Sequence, residues 1–235
     1  RLPQIEEVCQ QRGLKLCSVA QIIEHRRRTE RLVRCVSSAR LPTDAGEFDL
    51  HCYQCELSGQ AHVALTIGNL RPGGEPVAAP VLLRVHSECL TGDIFHSRRC
   101  DCGEQLHTAM RMVAEAGQGA IVYMRHHEGR GIGLGNKIRA YALQEQGLDT
   151  VQANVELGFA ADLRDYGLGA QILLDLGVRK MRLITNNPKK IHGLSGYGLE
   201  VAERVSLVCV SKPENERYLA AKRTKLGHLL AEDGG

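Results

Sequence analysis

Three cysteines stand closest to chemistry in this chain: Cys89, then Cys100 and Cys102 on either side of Asp101. The eleven-residue gap lets one short loop gather three sulfurs around a point. Three thiolates suit zinc, which prefers tetrahedral sulfur and nitrogen, and three protein ligands leave a fourth position for water. A metal there lowers the pKa of its water from near 16 toward roughly 7 and supplies hydroxide at neutral pH. Spacing alone does not separate this open site from a closed structural one with His86 or His96 as fourth ligand. The polar company of the cluster, His86, Glu88, Asp93, Arg98, Arg99 and Gln105, favours the open, hydrolytic form.

Other patterns carry less. Cys52 and Cys55 form a C-x-x-C with no second pair, and read as strand or turn thiols. The isolated Cys9, Cys17, Cys35 and Cys209 read as small buried hydrophobes. His86-Ser87-Glu88 is the H-x-E of zinc nucleobase deaminases, but the later pair is C-x-C without a preceding Pro.

A second constellation handles anions. The glycine-rich stretch Glu128–Lys137 opens a helix, where exposed N–H groups favour an anion, yet it fits neither the dinucleotide fingerprint nor the Walker loop. Arg130 within it can grip a phosphate with two prongs. Thr185–Lys190 follows a strand, where ligands of α/β sheets gather, and Lys189 and Lys190 add point charges. Adjacent His126 and His127 leave a strand and read as surface residues.

These residues need a scaffold, and the hydrophobic pattern describes one. Strands are expected over Phe48–Tyr53, Ala61–Gly68, Val81–Val85, Ala120–Met124 and Met181–Thr185. Leu106, Met110, Val113 and Ala114 mark one helix, Lys137–Gln146 a second, and Leu168, Ile172, Leu173 and Leu176 a third that ends at Gly177. A last helix is expected over Asn215–Leu230, and Asn186-Asn187-Pro188 reads as a turn. The early strands lack helices between them. The fold class is therefore α/β, a layered mixed β-sheet flanked by helices, with one main domain and a short N-terminal helical remnant. At the N-terminus an extended piece precedes a helix over Ser18–Val33 with a solvated basic end, and Ser37–Gly46 reads as a linker.

Composition sets outer limits. The chain has 235 residues, 43% hydrophobic and 24% charged, enough for one substantial core. A formal charge of +3 argues against a nucleic-acid carrier, and no run reaches the roughly 18 apolar residues of a membrane span. Nine bunched cysteines point to free thiols with a metal site, and a cytoplasmic protein is the expectation. Arg1 in place of Met suggests a piece of a longer chain.

Five ordered segments, Arg84–Asp93, Arg99–Gly103, Glu128–Gly133, Gly158–Arg164 and Thr185–Lys190, strongly resemble GTP cyclohydrolase II, the first enzyme of riboflavin synthesis. The resemblance implies GTP as substrate, with formate, pyrophosphate and a diaminopyrimidine ribosylamino phosphate as products. It also implies catalytic Zn²⁺, Mg²⁺ with the triphosphate, and a homodimer in the cytoplasm, or in an organelle stroma if the source is a plant. Carried over by residue, Cys89, Cys100 and Cys102 become zinc ligands. Arg84, Val85, His86, Ser87, Glu88, Gln105, Glu128, Gly129, Arg130, Thr150, Thr185 and Lys190 become nucleotide contacts. Tyr141, Asp162 and Arg164 become the catalytic side chains, Tyr141 serving attack at guanine C8 and Arg164, activated by Asp162, taking the α-phosphorus. An arginine with a pKa above roughly 12 is a poor nucleophile, so electrostatic stabilisation by Arg164 stays open. Residues 39–235 would form this domain. Residues 1–38 resemble the tail of dihydroxybutanone phosphate synthase plus a linker, which makes that enzyme the upstream fusion partner. Where the family pattern has a single Gln, this chain has His126 and His127.

Overall fold

The computed structural model describes residues 2–229, and the chain divides into two compact units, Arg1–Arg31 and Leu32–Gly235. The first unit holds α1 (Leu2–Arg12) and α2 (Val19–Thr29). α1 replaces the expected extended piece; Leu2, Ile5 and Val8 recur at helical spacing, a period the extended reading overlooked. α2 begins where Ser18 predicts, because Ser18 accepts from the Gln21 N–H while the Gln21 side chain accepts from the Ser18 N–H. It stops at Thr29, short of the expected Val33, because Leu32 and Val33 are buried in the second unit.

That unit is built on seven strands: β1 (Val33–Thr43), β2 (Gly46–Cys55), β3 (Ala61–Ile67), β4 (Val81–Ser87), β5 (Gly119–Met124), β6 (Lys180–Ile184) and β7 (Glu200–Val205). Their spatial order is β1-β2-β3-β5-β4-β6-β7. The β1-β2-β3-β5 half is antiparallel and the β5-β4-β6-β7 half parallel, the mixed α/β sheet that the pattern predicts. The expected linker at Ser37–Gly46 is instead most of a β-hairpin, with Thr43 paired to Gly46 across the turn. Pro42 broke the sequence pattern, but β1 is an edge strand, where a missing N–H costs no ladder bond.

Helices supply the crossovers. α3 (Leu90–Asp93) and α4 (Cys102–Glu115) lead from β4 to β5. α5 (Leu134–Glu145), α6 (Thr150–Glu156) and α7 (Gly167–Asp175) lead from β5 to β6, and α8 (Pro188–Ser195) leads to β7. α9 (Glu216–Leu226) follows; the expected end at Leu230 lies outside the described residues. α6, α8 and β7 went unread in the sequence. Asp149 caps α6 by accepting from Val151 and Gln152, a D-x-x-Q signal that was present, and Pro188 starts α8 from its first turn rather than closing a turn. β7 is a polar edge strand with little apolar alternation to detect.

Alternation along β4 explains where the core ends. Val81, Leu83 and Val85 pack with Ile172 and Leu173 of α7 and with Leu176 just past its end, while Leu82 faces Ala109 and Val113 of α4 on the other side. The next residues on that second face are Arg84 and His86, so apolar packing gives way to buried polar groups at the carboxyl end of the parallel strands. Cys55 is buried on β2, as a strand thiol should be. The expectation of burial fails for Cys17, which is exposed, and for Cys9, Cys35 and Cys209, which are half-buried. Cys9 lies on a helix that buries none of its residues, and Cys35 and Cys209 only flank the core clusters.

α3 and α4 meet at a contact only glycine allows: a Cβ on Gly103 would lie 2.2 Å from the Gly92 carbonyl oxygen. Gly103→Ala should therefore cost about 1–3 kcal/mol by overpacking, read as a fall of several degrees in melting temperature. Gly135→Ala, at an exposed helical position with open space around it, should stabilise slightly instead.

Candidate active site

The three sulfurs do converge. Cys89 caps α3 just past β4, Cys100 ends the following loop, and Cys102 begins α4. Their Sγ atoms lie within 4.8 Å of one another, with Cys89 and Cys100 3.8 Å apart. Two ligands at zinc–sulfur distance on a tetrahedron lie ~3.8 Å apart, so the spacing fits one small ion. Gly92 leaves the room: a Cβ there would sit 2.8 Å from Cys100 Sγ and 3.2 Å from Cys89 Sγ.

Charge tells the same story. Hydrogen bonds with Cys100 and Cys102 hold the Cys89 thiol well below its usual range, aided by the Lys137 ammonium and opposed by burial. A hydrogen bond with Cys102 lowers Cys100, but its contact with Cys89 and its burial prevail and push it up to about 11. Contacts with Cys100 and Cys89, together with burial, raise Cys102 as well. Close, like-charged sulfurs oppose one another's ionisation, and a divalent ion would relieve that opposition.

The surrounding polar groups steady the loop rather than complete a tetrahedron. Asp93 accepts from the Cys89 N–H at 2.9 Å, from the Tyr123 hydroxyl at 2.8 Å and from His86 Nε2 at 3.1 Å. His86 Nδ1 accepts from Arg84 Nε at 3.3 Å, and burial lowers the ring's pKa to about 4, so the imidazole is neutral and fully engaged. His96 stands beside His107, and among the described residues the metal-capable cluster is the three cysteines alone. Both candidate fourth ligands are thereby set aside. Arg98, also counted among the cluster's company, pairs with Glu214 on the exposed surface.

A cleft of about 1070 Å³, its open mouth included, runs from the sulfurs along the carboxyl ends of β4, β5 and β6. Arg84, His86, Ser87 and Glu88 line it from β4, Gln105 from α4, and Glu128, Gly129 and Arg130 from the loop after β5. Tyr141, Thr150, Arg164, Thr185 and Lys190 complete the predicted set. Two predicted residues do not line it. The Val85 side chain is in the core while its carbonyl accepts from Lys190 Nζ at 2.7 Å. Asp162 stands behind Arg164, accepting from Nε at 2.8 Å and from Nη2 at 2.6 Å.

The glycine loop makes its shape with left-handed backbone. Gly129, Arg130 and Gly131 all have positive φ, and Arg130 is not a residue that adopts it freely. The strain turns Arg130 inward, where neither Nη atom finds a hydrogen-bond partner among the described residues. A buried guanidinium left unpaired is costly unless a ligand satisfies it. Lys190 is pushed well below its ordinary pKa by burial first and by Arg84 and Arg164 next, so this end of the cleft is short of negative charge. Near the sulfurs, Tyr141 shares a 3.1 Å hydrogen bond with Thr91, and burial raises its pKa, keeping the phenol protonated.

Several lining residues escaped the sequence reading. Lys137 reaches Cys89 Sγ at 3.2 Å, Thr91 at 2.9 Å and Glu128 at 2.5 Å; its place in the first turn after the glycine loop was the available signal. Asn154, Tyr218, Lys222 and His228 come from α6 and the C-terminal segment, which carried no motif. His127 was expected at the surface but lines the cleft, within 3.3 Å of Ser87 Oγ, whereas His126 is exposed as expected.

The Lys137 ammonium beside Cys89 has a chemical signature. In chelator-treated protein at pH 6, Cys89 should alkylate about tenfold or more faster than Cys100, because a neighbouring cation favours the thiolate. Mass spectrometry of the labelled peptides reads this, and equal labelling would contradict the charge assignment.

Comparison with known proteins follows the same lines. The family model for GTP cyclohydrolase II matches residues 34–206. The riboflavin biosynthesis protein RibBA of Salinispora tropica is 56% identical over 98% of this chain and 56% of its own length. The bifunctional riboflavin biosynthesis protein RIBA 1, chloroplastic, of Arabidopsis thaliana is 52% identical over 97% of this chain and 41% of its own. The chain thus spans about half the length of the curated relatives it matches. Among solved structures, RibBX, a two-domain 3,4-dihydroxy-2-butanone 4-phosphate synthase from A. baumannii, shares the fold with a TM-score of 0.52 at 24% identity, over 89% of this chain and 50% of that one. With the matched segment running from β1 to just past β7 and holding the cysteines, the glycine loop and the Thr185–Lys190 turn, this chain belongs to the GTP cyclohydrolase II family.

Proposed function

We propose that this chain opens the imidazole ring of GTP by hydrolysis, releasing formate and pyrophosphate and leaving the diaminopyrimidine ribosylamino phosphate. The carrying observation is that the sulfur trio and the unpaired Arg130 guanidinium open onto one cleft, a metal-type centre at one end and uncompensated positive charge at the other. Cys89, Cys100 and Cys102 would hold Zn²⁺, which when bound supplies the Lewis acidity that makes water nucleophilic near neutral pH. Mg²⁺ would enter with the triphosphate.

The chain's own groups then divide the work. Tyr141, protonated and fixed by Thr91, donates a hydrogen bond to the guanine C8 centre as it becomes tetrahedral and helps release the nitrogen. Lys137 and Glu128 pair with one another beside Cys89, and Lys137 ties Cys89 to the glycine loop. Arg130 and Lys190 receive phosphate oxygens, and Arg164 stabilises charge at the α-phosphorus, held charged by its two-pronged pair with Asp162 despite burial. The same pair leaves Arg164 Nη1 facing the cleft, with Ser87 Oγ at 3.4 Å, so a covalent route through that nitrogen uses the same geometry. Beyond this site, the reading extends to a homodimer and to an upstream dihydroxybutanone phosphate synthase domain whose tail is the unit Arg1–Arg31. Among the described residues no helix is long and apolar enough to cross a membrane.

Two other classes compete: a zinc deaminase, which releases ammonia, and a nucleotide sensor, which binds without turnover. The deaminase signature pairs its H-x-E with P-C-x-x-C, whereas here the later pair is Cys100-Asp101-Cys102 and a third sulfur, Cys89, joins the cluster. Incubation with GTP, Mg²⁺ and Zn²⁺ should yield formate and pyrophosphate without ammonia. Cys100→Ser should lose metal and formate release together, and normal formate release without bound zinc would overturn the metal mechanism.

Arg164→Ala should keep zinc and cut pyrophosphate release by about 10²-fold or more. In a slow variant such as Tyr141→Phe, mass spectrometry for a phosphoamidate on Arg164 decides between the two roles: its presence marks the covalent route, and its absence with pyrophosphate still released marks electrostatic stabilisation.

A further inference from the structure

α9 lies beyond the segment matched by the family model, which ends at residue 206, yet it reaches the centre of the cleft. Tyr218 and Lys222 stand four residues apart and share one helix face. The Lys222 ammonium lies 4.3 Å from the centre of the Tyr218 ring, so the two side chains are held as a unit. We propose that α9 completes the active site, with Lys222 as a positioning residue for the cysteine loop and Tyr218 as a residue that touches the bound nucleotide.

The geometry behind Lys222 is specific. Its ammonium donates to Asp101 Oδ1 at 2.5 Å, and the two side chains are only 8% and 2% exposed. Asp101 lies between Cys100 and Cys102, and its other oxygen accepts from Gln105 Nε2 at 2.6 Å. Gln105 in turn accepts from Arg84, so a continuous polar chain runs from α9 through the cysteine loop to β4. A buried Lys–Asp pair is poor at adding net stability, because desolvation offsets the attraction, but it fixes position strongly. α9 as a whole fits that reading: Ala221 is its one buried apolar side chain among the described residues, beside buried Lys222. The segment's remaining ties are also largely polar, including Glu214 with Arg98, Lys212 with Glu104 and Lys225 with Asp149.

Tyr218 faces the reaction. Its hydroxyl is 3.9 Å from Cys102 Sγ, and its ring lines the cleft that holds Arg130 and Arg164. It therefore stands between the ring-opening end and the phosphate end.

The inference rests on the proposed GTP chemistry for the role of Tyr218 but not for that of Lys222, and the experiment separates them. In the full chain, Lys222→Met should weaken zinc affinity by about 10–100-fold, the usual effect of losing a group that orients metal ligands. Lys222→Arg should recover most of that loss. In Co²⁺-loaded protein Lys222→Met should also shift the sulfur-to-cobalt charge-transfer band, a readout that needs no turnover. Tyr218→Phe should leave zinc content and melting temperature unchanged while lowering kcat for formate release by about tenfold or more. Unchanged zinc affinity and cobalt spectrum in Lys222→Met would overturn the positioning role, and unchanged kcat and KM in Tyr218→Phe would overturn the nucleotide contact. If the parent protein releases no formate from GTP, the proposed function fails, and loss of zinc affinity in Lys222→Met would still establish the link from α9 to the metal loop.

Discussion

Mutual repulsion of three converging sulfurs is the constraint around which the site is organised. Thiolates within 4.8 Å of one another resist being charged together, so the fold must hold them together while leaving room for a cation. It does this with backbone. Gly92 leaves space among the sulfurs, Gly103 lets α4 approach α3, and Asp93 ties the Cys89 amide to His86 and Tyr123 on the two adjacent parallel strands. The polar residues crowded about the cluster are therefore largely its frame. This is why His86, close in sequence and buried, is spent on Asp93 and Arg84 rather than turned toward the sulfurs.

The other end of the cleft carries the complementary imbalance. Arg84, Arg130, Arg164 and Lys190 all line it, and Arg164 is the one paired here with a carboxylate, Asp162. Lys190 is satisfied by a carbonyl, and the Arg130 Nη atoms have no hydrogen-bond partner among the described residues. Such an arrangement carries unfavourable desolvation and repulsion that a polyanion entering the cleft would relieve. The left-handed turn at Gly129–Gly131 belongs to the same economy, since it aims Arg130 inward at the cost of backbone strain.

The topology joins these ends. Parallel strands β4, β5 and β6 release their chains at one edge of the sheet, and each exit delivers a different part: cysteines after β4, the glycine loop after β5, and Thr185–Lys190 leading into α8 after β6. The antiparallel strands β1 to β3 extend the sheet and its cores, and contribute no side chain to the cleft.

Much of this was legible in the residues themselves. Sulfur chemistry limits what Cys89, Cys100 and Cys102 can bind, the glycine loop announces an anion, and apolar periodicity gave the central strands and the α4, α5 and α7 helices, because those signals are local. Edge strand β1 was hidden by Pro42 and the serines, whose local preference for turns is overridden by pairing with β2. Composition could not say that Asp162 stands behind Arg164, that His127 turns inward, or that Lys137 and Lys222 bracket the cysteines. Those facts depend on contacts between residues tens to more than a hundred positions apart, or on side-chain directions set by packing. The sequence by itself determined the kinds of groups available and the elements that carry them; only the tertiary structure decided which groups face one another, because burial, distance and charge balance are properties of the assembled chain.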